Sequence, residues 1–377
     1  MKIGLVIYGS LETVSGGYIY DRFLVNDLRA CGHTVEIVSL PWRTYTAHLG
    51  ENFSHALFHR LRHLNVDVLL QDELCHPSLW RINRRLRGTI SYPILALVHH
   101  LRASEQHPAA LRPLYRRVEQ HYLQNVDGFI FNSQTTKLSV AKFVEPLPPH
   151  VLAYPGGDRL KISLNDEQIK LRVGLRGPLR ILFLGSITRR KQPHLLLQAC
   201  SMLDSPNVQI TLIGSQQPEP RYARYIQALS AKLSETIPVK MIPALDANQL
   251  PHYLSEHDLL VVPSTYEGFG IVYLEGMAFG LPAIATTAGA ARETIRHGEN
   301  GYLIEPHDAD ALAWHIQALL DDRNLLLETS LTARNHYENG PTWAAMSATV
   351  NEFLARIRGK SVVVNNSLNK TQANLHR

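Results

Sequence analysis

Cysteine is scarce in this chain. The three residues present, Cys31, Cys75 and Cys200, lie far apart and in no C-x-x-C spacing. That argues against a disulfide framework or a zinc site and fits a reducing compartment. Long apolar runs are also missing, and none approaches the roughly 20 residues that a transmembrane helix needs. Met1 to Ser10 reads as a short strand ending in Gly9-Ser10, without the basic flank or the length of a secretory leader. The expected location is therefore cytoplasmic. No G-x-G-x-x-G occurs, which disfavours a dehydrogenase. Lysine is missing from one long stretch: Arg43 to Arg117 holds eleven arginines and no lysine, against five acids. A basic face of this kind suits an anionic acceptor or the inner face of a membrane, and equally a set of solvated helix faces. Aromatics are not interleaved with these arginines as a single-strand groove requires, so nucleic acid is not an expected partner.

What is present is two rounds of one pattern. At 377 residues the chain suits two domains of ordinary size. Short apolar runs at Ile3–Tyr8, Thr34–Leu40, Val66–Leu70, Ile94–Val98 and Gly128–Asn132 alternate with helical periodicity. Strands alternating with helices predict a parallel sheet covered on both faces. Asp158 to Pro178 is polar and without a strong period, and marks the boundary. The alternation restarts at Arg180–Leu184 and runs on through Val208–Ile213, Leu259–Val262 and Ala283–Thr286. The expected fold class is α/β, with an N-terminal doubly wound, Rossmann-like domain over 1–158 and a second over 159–340. A terminal helix over 341–360 and a disordered tail over 361–377 complete the division.

The most informative stretch is Pro263 to Pro282, P-S-T-Y-E-G-F-G-I-V-Y-L-E-G-M-A-F-G-L-P. A buried-strand run, Leu259–Val262, leads into a Gly268-Phe269-Gly270 turn, and helical periodicity follows it. Strand, glycine turn and helix together point backbone N–H groups and a helix N-terminus at one spot, which suits a phosphate. Glu267 and Glu275 stand eight residues apart, about 12 Å of helical rise. Two acids so spaced do not share one proton, but they can hold two parts of one elongated ligand.

This stretch resembles the E-x7-E signature of retaining glycosyltransferases with the GT-B fold, glycosyltransferase family 4 (glycosyl transferases group 1). The resemblance implies two Rossmann-like domains facing a cleft, the first binding acceptor and the second binding the nucleotide sugar. It implies transfer of a hexose with retention, without a metal or other cofactor, a UDP-sugar serving as co-substrate and expected donor. Residue by residue, Glu267 would contact the donor sugar, Glu275 the ribose, and Gly268, Phe269 and Gly270 the sugar and diphosphate. Gly185-Ser186-Ile187-Thr188-Arg189-Arg190-Lys191 resembles the family's G-R-x-x-x-x-K-G, in which Arg and Lys clamp the diphosphate. Lys191 matches. Ser186 stands where the family has arginine and Gln192 where it has glycine, so Arg189 or Arg190 would have to supply the missing charge. Gly16 and Gly17, after the first strand, match the family's glycine-rich loop in part. His99, or His100 with a shift of one, matches a histidine near the donor sugar. Lys191, Glu267 and His99 are the expected catalytic residues. Two other readings stay open: a sugar-nucleotide epimerase of the same fold, and a non-catalytic nucleotide-sugar-binding relative, for which Ser186 speaks. Asp308-Ala309-Asp310 spells D-x-D but opens a helix, where capping explains it better than a metal.

Overall fold

The computed structural model describes residues 1–13, 15–105, 107–161, 164–175, 177–204 and 207–374, with side chains as far as residue 358. The chain divides into two compact units. Met1–Pro155 with Trp343–Arg377 form the first, and Gly156–Thr342 form the second.

The first unit runs β1 (Lys2–Tyr8), α1 (Gly16–Ala30), β2 (Thr34–Leu40), α2 (Tyr45–Glu51), α3 (His55–Arg62) and β3 (Val68–Asp72). It continues through α4 (His76–Leu86), β4 (Ile94–Val98), α5 (Arg112–Leu123), β5 (Gly128–Phe131), α6 (Gln134–Ala141) and β6 (His150–Leu152). The six strands form one sheet in the order β2-β1-β3-β4-β5-β6, with every pairing parallel. The strands read as continuous apolar runs because both faces are covered, as parallel sheets require. Ile3, Leu5, Leu95, Phe129 and Ile130 are all fully buried. The order reverses between β1 and β3, and in sheets of this kind the ligand crevice opens beyond the carboxyl ends of the strands at such a switch point.

The second unit runs α7 (Asp166–Gly174), β7 (Leu179–Leu184), α8 (Pro193–Cys200), β8 (Val208–Ile213), α9 (Pro220–Leu233) and β9 (Val239–Ile242). Then come α10 (Leu250–Glu256), β10 (Leu259–Val262), α11 (Ile271–Ala278), β11 (Ala283–Thr286), β12 (Gly301–Ile304), α12 (Ala309–Asp321) and α13 (Arg323–Glu338). Its sheet order is β12-β11-β10-β7-β8-β9, again parallel throughout. The switch point here lies between β7 and β10, so the loops after those two strands share one crevice. Asp308 caps α12, its carboxylate accepting from the Ala311 N–H at 2.8 Å.

The polar stretch 158–178 contains a helix that its periodicity does not announce. Asn165 and Gln168 form a reciprocal capping box at the start of α7. One face of α7 then buries a charge: Arg172 donates to the carbonyls of Phe279 at 2.8 Å and Gly280 at 3.0 Å.

The last helix, α14 (Trp343–Asn374), belongs to the first unit. Trp343 stacks on Phe23 of α1 with ring centroids 4.3 Å apart. The expected tail, 361–377, falls on residues whose side chains, and from 375 the backbone too, lie outside the described residues.

Candidate active site

In the second unit the loops after β7 and β10 meet around one carboxylate. Glu267 is 7% exposed. It accepts from Lys191 Nζ at 2.6 Å, from Ser264 Oγ at 2.5 Å and from Arg190 Nη1 at 3.3 Å. Backbone holds the loops in register: Thr265 N–H donates to the Arg190 carbonyl at 2.8 Å, and Ala290 N–H to that of Glu267 at 2.9 Å. Burial alone would raise the Glu267 carboxyl, but Lys191 and Arg190, with their hydrogen bonds, override it and hold the group at about 2. The carboxylate is therefore ionised at neutral pH and orients two cations beside the glycine turn.

The departures from the family pattern have local explanations. Arg190 turns inward, its guanidinium on Glu267 and on the Tyr266 carbonyl at 2.7 Å. Arg189 does not join it, lying 78% exposed over the Tyr222 ring. Arg190, four residues after Ser186, thus places a guanidinium on this loop. Gln192 has φ +50°, a left-handed backbone that glycine adopts freely and other residues rarely. Its side-chain amide holds His307 Nδ1 at 2.6 Å, which anchors the strained position. The fold keeps the glycine geometry without the glycine.

Gly270 has φ +88°, and a Cβ there would lie 2.3 Å from the Tyr273 ring. Only glycine fits, and it starts α11 directly beside Glu267. Phe269 is buried, while Gly268, Gly185 and Ser186 are partly exposed on the same two loops. Glu275, on α11, is buried and paired with Arg159 through Nε. Sequence reasoning did not find Arg159, which lies 116 residues away in the boundary stretch.

In the first unit the loops after β1, β3 and β4 line a cavity of about 180 Å³. His99 stands over Gly17, where a Cβ would come within 3.0 Å of its ring. Gly16 opens the same helix turn. His99 Nε2 lies 2.9 Å from Asp21 Oδ1, and Asp21 is fully buried on α1. Burial alone would lower the His99 ring, but Asp21 outweighs it and raises the ring above the ordinary histidine value. His100 lies beside it, half-exposed and 2.9 Å from Glu105.

Asp72 and Glu73, at the end of β3, are each 3% exposed. Burial first, then the neighbouring Asp21 charge, raises Asp72 to about 7. Burial likewise raises Glu73 and Glu119 to about 8. Two clusters here, Asp21-Asp72-His99 and Glu73-His76-Glu119, bring three donor atoms each within 4.8 Å. Either grouping could hold a cation. Nine of the eleven arginines from 43 to 117 are exposed, so the basic character of this unit lies on its outside. Among the described residues no helix is long and apolar enough to cross a membrane.

Comparison with known proteins supports the fold. Residues 166–336 match the family described as glycosyl transferases group 1. A D-inositol 3-phosphate glycosyltransferase of Thermobispora bispora is 29% identical over 244 residues, covering 62% of this chain and 57% of that relative. An uncharacterized glycosyltransferase of Methanocaldococcus jannaschii is 32% identical over 143 residues, 38% of this chain and 36% of its own. The chain thus spans at most a little over half the length of these two relatives. Among solved structures, sucrose-phosphate synthase from Thermosynechococcus elongatus superposes with a TM-score of 0.78 at 22% identity, covering 96% of this chain and all of the other. Anabaena HepE, in complex with UDP and glucose, gives 0.77 at 19% identity, covering 94% of this chain and all of the other. Both sheets are those of the GT-B fold, and residues 166–336 match the glycosyl transferases group 1.

Proposed function

We propose that this chain transfers a hexose from a nucleoside diphosphate sugar to an acceptor, with retention of anomeric configuration and without a metal. The observation that carries this reading is the Lys191–Glu267 pair at the β7/β10 switch point, beside the Gly268–Gly270 turn. Bond cleavage at the donor leaves negative charge on the diphosphate. A preformed ammonium and guanidinium at the switch point stabilise that charge where it develops, and they fill the place a metal would otherwise take. Glu267 keeps both cations oriented until the donor arrives. Glu275, held by Arg159, is placed for the ribose. The bound UDP and UDP-glucose of the Anabaena neighbour support a uridine diphosphate sugar as donor.

Among the described residues, no pair in the crevice forms a nucleophile with its base. The acceptor oxygen would attack the anomeric carbon on the face the diphosphate leaves. The C–O bond to phosphate breaks as the new C–O bond forms, and the departing phosphate oxygen takes the acceptor's proton. The first unit would bind the acceptor, with His99 oriented by Asp21 at its cavity.

The test is Lys191→Ala. With UDP-glucose, kcat should fall about 10²- to 10³-fold. Donor Kd should change far less, because the charge appears only in the transition state. An unchanged kcat would remove Lys191 from this role. A thermal-shift panel of UDP-, GDP-, ADP- and dTDP-sugars names the base, since a ligand that binds only the native state raises its stability.

A further inference from the structure

The first unit gathers its arginines on three neighbouring helices. α3, α4 and α5 lie side by side, with α4 packed against both of the others. The Arg85 guanidinium of α4 lies 4.1 Å from the centroid of the Phe58 ring of α3, and Trp80 of α4 stacks on His121 of α5 at 5.7 Å. Each helix turns its apolar positions inward, so Leu61, Ile82 and Val118 are buried. Outward stand Arg60 and Arg62 on α3, Arg81 and Arg84 on α4, Arg87 at its end and Arg117 on α5, all exposed.

No acid stands among them. From residue 41 to residue 126 no described aspartate or glutamate is exposed. Glu51 is partly buried and lies 3.6 Å from Arg43, which among the described residues is the one arginine of the eleven paired with an acid. Asp67 faces Arg358 of α14 and the Lys2 N–H. Glu105 faces His100 and His107, and Glu119 accepts from the backbone N–H groups of Arg102 and Ala103. An ordinary solvated surface mixes both signs. Here like charges crowd at helical spacings, as Arg81, Arg84 and Arg85 do, and an anionic partner would offset that repulsion.

The partner must be broad. Three helices packed side by side make a face about 20 Å across, roughly twice the Debye length at physiological salt. One small anion meets only a part of it. Arginine grips phosphate in a planar fork, and from Arg43 to Arg117 it is used to the exclusion of lysine. Apolar side chains share the face. Phe53, ahead of α3, is 62% exposed with the Arg81 guanidinium 4.8 Å over its ring, and Leu114 of α5 is 40% exposed. Phosphates with hydrocarbon directly beneath them are the chemistry of a bilayer surface. A nucleic acid offers an aliphatic side chain such as Leu114 no comparable partner.

We propose that the α3–α4–α5 face docks this protein on an anionic lipid bilayer, with its arginines on the headgroup phosphates and Phe53 and Leu114 just below them. The contact is peripheral, since among the described residues no helix is long and apolar enough to cross a membrane. It does not depend on the transferase reading.

The experiment is flotation of the full chain with vesicles of phosphatidylcholine alone and of phosphatidylcholine with about one third phosphatidylglycerol. The anionic vesicles should bind at least about tenfold more tightly, and raising salt from about 0.05 to about 0.5 M should remove most of that difference. Each arginine near an anionic surface adds about fivefold, so Arg84→Ala, Arg87→Ala and Arg117→Ala together should weaken binding about 100-fold. Arg221→Ala, Arg224→Ala and Lys232→Ala together remove the same charge from exposed positions on α9 and should leave binding unchanged. Phe53→Ser should weaken binding about tenfold. UDP binding and Tm should be unaltered in all three variants, which shows that they fold. Equal binding to neutral vesicles, an equal loss in the α9 variant, indifference to Phe53→Ser, or tighter binding of a duplex DNA oligomer than of the anionic vesicles each overturns the proposal. UDP-glucose binding is read separately. Its absence beside vesicle binding would sink the transferase reading and leave the docking face standing, and its presence without vesicle binding would do the reverse.

Discussion

The two units bury carboxylates at equivalent places and treat them in opposite ways. Glu267, at the second switch point, is enclosed by Lys191, Arg190 and Ser264 and is held at about 2. Asp72 and Glu73, at the first, meet histidines, tyrosines and further acids, and burial lifts them to about 7 and about 8. Sheet topology alone therefore does not decide a site's charge. The loop residues brought to the switch point decide it. One site is a completed ion pair, and the other is a set of raised carboxyls that face histidines and one another.

The strongest way to break the comparison is to remove one side of the completed pair. Lys191→Met should destabilise the protein by about 3 kcal/mol, at the low end for a broken buried pair because Arg190 remains on Glu267. The double variant Lys191→Met with Glu267→Gln should recover at least half of that loss. Urea unfolding of both variants measures this, and strict additivity would show that the pair is not coupled.

The second prediction uses pH. A carboxyl raised above its unfolded value favours the native state when protonated, so its contribution is lost as pH climbs from about 4 toward 8. A carboxyl held low, as Glu267 is, contributes above about 4 and loses its contribution as pH falls toward 2. Between pH 5 and 8 the first unit should therefore lose stability as pH rises, by up to about 1.4 kcal/mol per pH unit for each such group. Glu73→Gln should flatten that slope. Tryptophan fluorescence reads the first unit chiefly, since Trp42, Trp80 and Trp343 belong to it and only Trp314 to the second. A slope unchanged by Glu73→Gln would place the titrating group elsewhere.

The smallest expected effect sharpens the account of the β7–α8 turn. Gln192→Gly relieves a left-handed backbone and loses the amide contact to His307. The two nearly cancel, so stability should stay within about 1 kcal/mol and the donor Kd should be unaltered. A large loss would mean that the contact, and not the backbone, sets the loop.

Both sheets could be read from the sequence because parallel strands buried on two faces leave continuous apolar runs such as Ile94–Val98. The glycine turn and the spacing of Glu267 and Glu275 were legible for the same local reason. Partnerships across the chain were not. Asp21 meets His99 across 78 residues and Arg159 meets Glu275 across 116, and nothing local marks either. Helix α7 was hidden because its capping residues and the buried Arg172 are polar, which erases the apolar period. The contrast between a basic exterior and an acidic cavity was invisible to net charge, since a sum does not say which residues face outward.

The return of α14 to the first unit has a consequence for synthesis. Trp343 covers Tyr20 and Phe23 of α1, so the earliest helix of the chain is packed by one of the latest. On the ribosome, residues 1–155 emerge with that apolar face of α1 bare, and it stays bare until the whole second unit has been translated. The second unit, continuous in sequence, is fully translated before α14 completes the first. Domains ordinarily mature from the N-terminus onward; here the first unit waits for its last helix until the second has been made. A stalled or truncated message ending before Trp343 would release a product whose first unit exposes aromatic surface to chaperones and proteases.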